Sequence, residues 1–481
     1  MRGKLPISSA LAILELAGLF VPNVLWAEAS PAIEVRAPAE PPALPAMTLV
    51  DALAYARANQ PSLKAAQARI EVAKRAAWGV RSEWLPQVGA GAQLFYGTMN
   101  NSTAMFLGMR TVDIPRIGGS RSDGSWGDAY PSTVVALGLR QNIYDFGRLA
   151  ALAMAGDAEV AASAHRLRLE SLDVALTVES TFYGVLAAKA VERAAEDAYK
   201  RAVLRRDMVK ASVDRGLRPT IDLTRAEADL TRFFVGCMRA RGGIEAAQAL
   251  WAAAVGVPDP LLDTLVGREG SEENLDAAQA PLPTLGEAFE QALSRDPSVR
   301  LALSRLAAQQ ALTRATVRQW APSLSLTAGV NGRAGGAPQS SGPSGQSGWL
   351  PATPNWDLGL ILQVPIFDGV LLARQRQSQA QEDVLRHEVD AARRRLLADI
   401  QRAYTAFRVA ESALPALRTS ALAAQKNYEQ ASTRFRADLG SSVELAGAET
   451  LLTDAEIQLA IGRFDVSRAR AALHRSIALG L

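Results

Sequence analysis

Four stretches of this chain alternate apolar and polar residues with a period of two, and they come in two pairs. Across 323–331, Leu324, Leu326, Ala328 and Val330 fall on one face, with Ser323, Ser325, Thr327, Gly329 and Asn331 on the other. Across 357–367, Leu358, Leu360, Leu362, Val364 and Ile366 share a face opposite Asp357, Gly359, Gln363 and Pro365; Ile361 and Phe367 are the exceptions. Nearer the N-terminus, Val88, Ala90, Ala92 and Leu94 alternate with Gln87, Gly89, Gly91 and Gln93, and Val135, Leu137 and Leu139 with Ala136, Gly138 and Arg140. Period two predicts strands. An apolar face backed by a small or polar one over about ten residues is the pattern of a membrane barrel strand. An ordinary two-layer sheet shows a similar alternation, so the strands alone leave both open. The paired strands are joined by 97–132 and by 332–356, the second rich in Gly, Ser and Pro, and both read as exposed loops.

Elsewhere the period changes to that of a helix. Thr48 and Thr284 are suited to N-cap helices over 48–84 and 284–320, and Pro86 and Pro322 close them. Over 147–215 and 369–436, apolar residues recur at three- and four-residue steps, as in Leu169, Leu172, Leu176, Phe182, Val185 and Leu186, with only Pro415 interrupting. About 67 residues at 1.5 Å each make a rod near 100 Å. A packed helical tube needs helices of that length, whereas a compact domain does not.

The two sets of elements are one unit written twice. Ala52, Ala56, Pro61, Ser62, Trp84 and Pro86 fall on Ala288, Ala292, Pro297, Ser298, Trp320 and Pro322, all offset by 236. Gly147, His165, Val178, Phe182, Asp222 and Leu223 fall on Gly369, His387, Ile400, Tyr404, Glu444 and Leu445, offset by 222. One net difference of 14 residues, between Pro86 and Gly147, therefore separates the halves. The duplication predicts a first repeat over 48–255, a Pro-containing joint over 256–283 and a second repeat over 284–481, each ordered helix, β-hairpin, long helix, helix.

Ahead of the repeats, Arg2 and Lys4 precede an apolar stretch over 7–24, and Ala27 and Ala29 follow. This predicts a signal peptide over 1–29, and the Pro- and Ala-rich 30–47 reads as an extended leader. No later run of about 18 apolar residues is evident, so no membrane-spanning helix is expected. A chain that enters a membrane after export must then do so with strands.

Composition narrows the chemistry. The 481 residues carry 52 Lys and Arg against 49 Asp and Glu, a net +3 that gives no concentrated basic surface for nucleic acid. The single cysteine, Cys237, excludes an internal disulfide and reads as a small buried residue. His165, His387 and His474 are far apart, His165 and His387 read as solvated, and no metal or cofactor site is expected. Phosphate-binding loops, a nucleophile elbow and paired histidines with a base are all missing, so no enzyme activity is expected. Trp84 and Trp320, next to the strands, suit a membrane–water boundary.

Two hairpins supply four strands, too few to close a barrel, and an open sheet in lipid leaves backbone groups unpaired. Copies must pool strands, and three copies give twelve. The helices, charged on several faces as at Arg393, Arg394 and Arg395, must lie outside the bilayer on the secreted side.

The two-half plan, the paired hairpins, and the elements Ile143-Tyr144-Asp145-Phe146-Gly147 and Ile366-Phe367-Asp368-Gly369 that enter the long helices resemble the TolC-type outer-membrane efflux channel family from Thr48 onward. The resemblance implies a mainly α fold with a membrane β-barrel portion: a homotrimer with a 12-stranded barrel and a long α-helical periplasmic tunnel. It also implies docking to a periplasmic adaptor protein that contacts an inner-membrane pump.

The long helices turn back at 215–223 and 437–445. Gly216 suits a left-handed C-cap, Pro219 a first helical turn, and Asp222 a helix N-terminus. Capping alone explains these residue types; the resemblance adds that Gly216, Leu217 and Asp222, with Asp438, Leu439 and Gly440, form adaptor-docking tips. The second turn departs from the family pattern, with Asp438 where a Gly is usual and Gly440 two positions later. Glu444 matches an acidic position near the tunnel's narrow end, where three copies make an acidic ring that favours cations. A solvated carboxylate at a helix N-terminus is the plainer reading. Taken together, these readings lead to a passive exit duct for efflux; a duct for protein secretion and a soluble periplasmic coiled-coil scaffold are the alternatives.

Overall fold

The computed structural model describes residues 47–98, 129–257, 284–335, 355–437 and 439–478. The signal peptide, nearly all of the leader, the central parts of both interstrand loops, most of the joint, Trp126, Trp349 and Asp438 lie outside the described residues. The first repeat contains α1 (Leu49–Asn59), α2 (Pro61–Ser82), β1 (Gln87–Thr98), β2 (Ala129–Tyr144), α3 (Arg148–Asp214) and α4 (Thr220–Val255). The second contains α5 (Leu285–Arg295), α6 (Pro297–Arg318), β3 (Ser323–Gly335), β4 (Asn355–Gln363), α7 (Gly369–Arg436) and α8 (Ser442–Ser476).

Each repeat opens with a capping box, Thr48 with Asp51 and Thr284 with Glu287. The single helix expected after each is two helices. Gln60 and Asp296 take extended ψ angles of 121° and 127°, because the proline that follows disfavours helical backbone in the residue before it. Pro61 and Pro297 then start the second helix at its first turn, where a missing N–H costs nothing. Asp296 caps its helix through Ser298, 2.8 Å away; Gln60 instead donates to the Ala253 carbonyl near the end of α4 at 3.3 Å. The closeness of that junction leaves no room for a side chain at Gly256, whose φ is +84°.

The four strands form one antiparallel sheet in the order β1-β2-β3-β4, so the two hairpins are joined through β2 and β3. Its register aligns the alternating residues of all four strands. Val88, Leu139, Ala328 and Leu358 form one row and Ala90, Leu137, Val330 and Trp356 the next, all on one face. Gln87, Arg140, Thr327 and Gly359 form a row on the other. The apolar face is open: Val88, Leu137, Trp356 and Leu358 are exposed. Among the described residues, β1 and β4 each pair on one side. β4 stops at Gln363 rather than running on to residue 367, because Pro365 cannot donate to a ladder.

Below the sheet, α3 and α7 run for 67 and 68 residues, and α7 passes through Pro415 unbroken. Asp145, itself buried, accepts from the Gly147 and Leu149 N–H groups to start α3, while Phe146 and Gly147 turn the chain with φ of 54° and 86°. Asp368 caps α7 in the same way through Val370 and Leu371. α3 packs along α2, α4, α6 and α8, and α7 along α6 and α8. Positions equivalent in the duplication are buried alike: Val178 with Ile400, Trp251 with Leu473, Ala52 with Ala288. One 18-residue window of α3 is apolar enough on length and composition to cross a membrane, against the expectation that no helix would be. Its alanines raise the hydropathy; they also permit the close helix packing seen along α3.

Candidate functional site

The two helix turns form one unit. In the first, the Gly216 N–H donates to Val213 at 2.8 Å and the Leu217 N–H to Ser212 at 2.9 Å, a Schellman closure made possible by the +71° φ of Gly216. In the second, the Leu439 N–H donates to Arg434 at 2.9 Å, the same five-residue reach. Gly440 is favoured there for a different reason: a Cβ would crowd the Phe435 backbone nitrogen at 3.2 Å. Ser441 caps α8 by accepting from the Glu444 N–H at 3.1 Å.

Side chains then join the turns. The Arg218 guanidinium lies 4.1 Å from the centre of the Phe435 ring and donates to the Gly440 carbonyl at 3.4 Å. The Ser442 hydroxyl donates to Asp222 at 2.7 Å, and Arg218 is 3.9 Å from that carboxylate. Val209, Ala226, Ala431, Phe435, Leu445 and Ala448 pack into a small apolar core just behind. Of the six residues singled out for the tips, Gly216, Leu217, Asp222, Leu439 and Gly440 are brought together; Asp438 lies outside the described residues. Sequence reasoning missed Arg218 and Ser442, and it also missed a surface. Leu217, Ile221, Leu439 and Val443 are 65%, 62%, 74% and 56% exposed, and they are two pairs related by the 222-residue offset. That repetition of solvent-facing aliphatic residues was visible in the duplicated alignment.

Asp222 and Glu444 are equivalent by the duplication yet sit differently. Asp222 is turned inward against Ser442 and Arg218, whereas Glu444 is exposed and lies 3.6 Å from Arg434 in the last turn of α7.

Behind the tips is a charged cluster that was not anticipated. Arg205 on α3 lies 2.8 Å from Glu449 on α8 and 2.9 Å from Asp229 on α4. Arg201 reaches Glu456 at 3.0 Å, and Arg232 reaches Thr450 at 3.1 Å. Arg205 and Glu449 are buried. Burial pushes the Glu449 carboxyl above the usual carboxylate range, only partly opposed by Arg205 and Arg201. The signal was a charge at a core position: Arg205 falls on the buried stripe of Ala198, Ala202 and Val209, and Glu449 between Leu445 and Leu452.

His387 is exposed, whereas His165 is half-buried rather than solvated, its pKa pushed down chiefly by that burial and further by Arg168 and Arg300. Cys237 is buried. Trp84 and Trp320 are half-buried beside the strands, Trp320 donating to Gln375 at 3.1 Å. Among the described residues no group of three or more His, Cys, Asp or Glu is placed to hold a metal ion.

With this geometry in hand, comparison with known proteins is specific. The family described as outer membrane efflux protein matches residues 52–250 and 288–479, one match per repeat. Among solved structures, the chain is similar to the outer-membrane channel OprN, at 22% identity over 90% of each chain with a TM-score of 0.72. It is similar to the Campylobacter jejuni CmeC outer membrane channel, at 17% identity over 90% of this chain and 86% of that one, TM-score 0.72. It also resembles the Neisseria gonorrhoeae MtrE outer membrane channel, at 19% identity over 89% and 88%, TM-score 0.67. No curated protein sequence matches the chain.

Proposed function

Because the chain belongs to the outer membrane efflux protein family, we propose that it is the passive, trimeric exit duct of a tripartite efflux system in the outer membrane. The observation that carries this reading is the sheet. One apolar face spans all four strands in register, and among the described residues both sheet edges lack a partner. Such a sheet is stable in lipid only if copies close it into a barrel, and three copies give twelve strands. The helices continue from the barrel strands and, at about 1.5 Å per residue, reach roughly 100 Å into the periplasm.

In this reading residues 1–29 direct export and are removed, and the two repeats contribute equivalent halves of each chain's share of sheet and tunnel. The tips receive the periplasmic adaptor that links the duct to an inner-membrane pump. The exposed aliphatic pairs Leu217–Ile221 and Leu439–Val443 supply the apolar contact, and Gly216, Asp222 and Gly440 shape the turns that present it. Glu444, exposed on the first turn of α8, faces the narrow periplasmic aperture. The duct supplies no energy and carries out no bond chemistry; the pump provides both drive and substrate choice.

The test is complementation. Deletion of the gene should sensitise cells to small toxic compounds without loss of any secreted protein, and the purified protein should give ion-conducting steps in planar bilayers. Loss of a secreted protein with unchanged sensitivity would reassign the duct to protein secretion. Absence of conductance from correctly assembled protein would contradict a duct altogether.

A further inference from the structure

The duplication offers two carboxylates to the aperture, and the structure leaves one. Asp222 is bound by Ser442 at 2.7 Å and faced by Arg218 at 3.9 Å, so its charge is directed into the protein. Glu444 alone keeps an exposed carboxylate, its side chain 45% exposed, but Arg434 is placed beside it. The Arg434 Nε stands 3.6 Å from the Glu444 Oε1, reaching from the last turn of α7 to the first turn of α8, and its own side chain is 60% exposed. The position equivalent to Arg434 in the first repeat is Ser212, which has no charge and donates to the Met208 carbonyl at 3.0 Å. The cation is therefore particular to the repeat whose carboxylate is exposed.

An exposed ion pair contributes little to stability, typically below about 1 kcal/mol. Its effect on ions passing nearby is another matter. A fixed positive charge within about 4 Å of a fixed negative one cancels most of its field beyond a Debye length of about 8 Å. The surrounding tip adds no acidic excess: Lys210, Arg215, Arg218, Arg434 and Arg436 face Asp214, Asp222, Asp438 and Glu444 in the sequence of the two turns.

We propose that Arg434 sets the charge selectivity of the periplasmic aperture by neutralising Glu444. The duct then admits solutes of either sign, and the three carboxylates act as a cation filter only when Arg434 is removed. This rests on the reading above that Glu444 lines the aperture, and the experiment separates the two claims.

Reversal potentials are measured in planar bilayers under a KCl gradient for the wild-type trimer and for Arg434→Gln, Arg434→Lys, Glu444→Gln and the Arg434→Gln/Glu444→Gln pair. The proposal expects a weakly selective wild type. Arg434→Gln should raise the potassium-to-chloride permeability ratio about two- to five-fold, in line with the Coulomb interaction of a unit charge at this distance in water. Glu444→Gln should shift the ratio toward chloride, the double variant should return close to wild type, and Arg434→Lys should keep the wild-type ratio. A shift for Glu444→Gln with none for Arg434→Gln overturns the proposal and leaves the aperture reading standing. No shift for any variant overturns both. An equal shift for Arg434→Lys and Arg434→Gln overturns the proposal by tying the effect to side-chain shape rather than charge.

Discussion

Arg205 and Glu449 meet at 2.8 Å inside the helical bundle, both buried, and tie α3 to α8 one layer behind the tips. Asp229 on α4 approaches the same arginine at 2.9 Å, so one guanidinium serves two carboxylates from two other helices. This arrangement predicts an asymmetry. Arg205→Ala leaves the buried Glu449 without the cation beside it, while the half-buried Asp229 keeps Arg232 at 3.5 Å, and should cost about 3–5 kcal/mol. Glu449→Gln leaves Arg205 paired with Asp229 and should cost far less. Thermal unfolding of the two purified variants checks this, and equal losses would contradict the shared-cation arrangement.

The same glutamate predicts a pH dependence. Burial raises the folded pKa of Glu449 above its unfolded value, so the folded protein binds the extra proton. Its contribution to stability is fully present below the ordinary carboxylate pKa and is lost as pH rises through the raised value. The wild type should therefore lose stability across that interval relative to Glu449→Gln, in which this component is absent. Parallel pH–stability curves for the two proteins would show that Glu449 does not titrate differently on folding.

Two glycines in the tips answer different needs, and their substitutions should differ. Gly216→Ala meets open space but must hold a φ of +71°, at about 1–2 kcal/mol. Gly440→Ala instead crowds the backbone of the last turn of α7, which must give by a few tenths of an ångström. Hydrogen exchange should show Gly216→Ala loosening its own turn alone. Gly440→Ala should loosen both turns, because Arg218 reaches across to the Gly440 carbonyl. Loosening confined to 434–445 in the second variant would deny that the turns are coupled.

Leu217→Asp combined with Leu439→Asp places charge in both exposed aliphatic pairs without touching the core behind them. The reading of the tips as a docking surface expects normal trimer levels, normal bilayer conductance and loss of efflux in cells. Full efflux by this variant would remove the tips from adaptor docking.

Much of the fold could be read before any coordinates. Thr48 and Thr284 marked the N-caps that open the two repeats, and strict alternation in 323–331 gave one strand face residue by residue. The break at Gln60 and Asp296 was signalled by Pro61 and Pro297, but a continuous helical apolar pattern masked it, because α1 and α2 present alanines and leucines on either side of the kink. The candidate tips were legible as turns. What joined them was not, since Arg218 over Phe435 and Ser442 to Asp222 are contacts between repeats more than 200 residues apart, and no local period encodes them. Arg205 and Glu449 were hidden for the opposite reason: charged residues on long helices usually face water, and only the surrounding stripe of buried alanine and leucine marks these two as internal.

The central claim is that one chain carries a third of a barrel wall. The most direct measurement is native mass spectrometry of the mature protein extracted from outer membranes in detergent. The account predicts a single species of three chains that requires detergent to stay dispersed. A soluble species of one chain, stable in plain buffer, would contradict it.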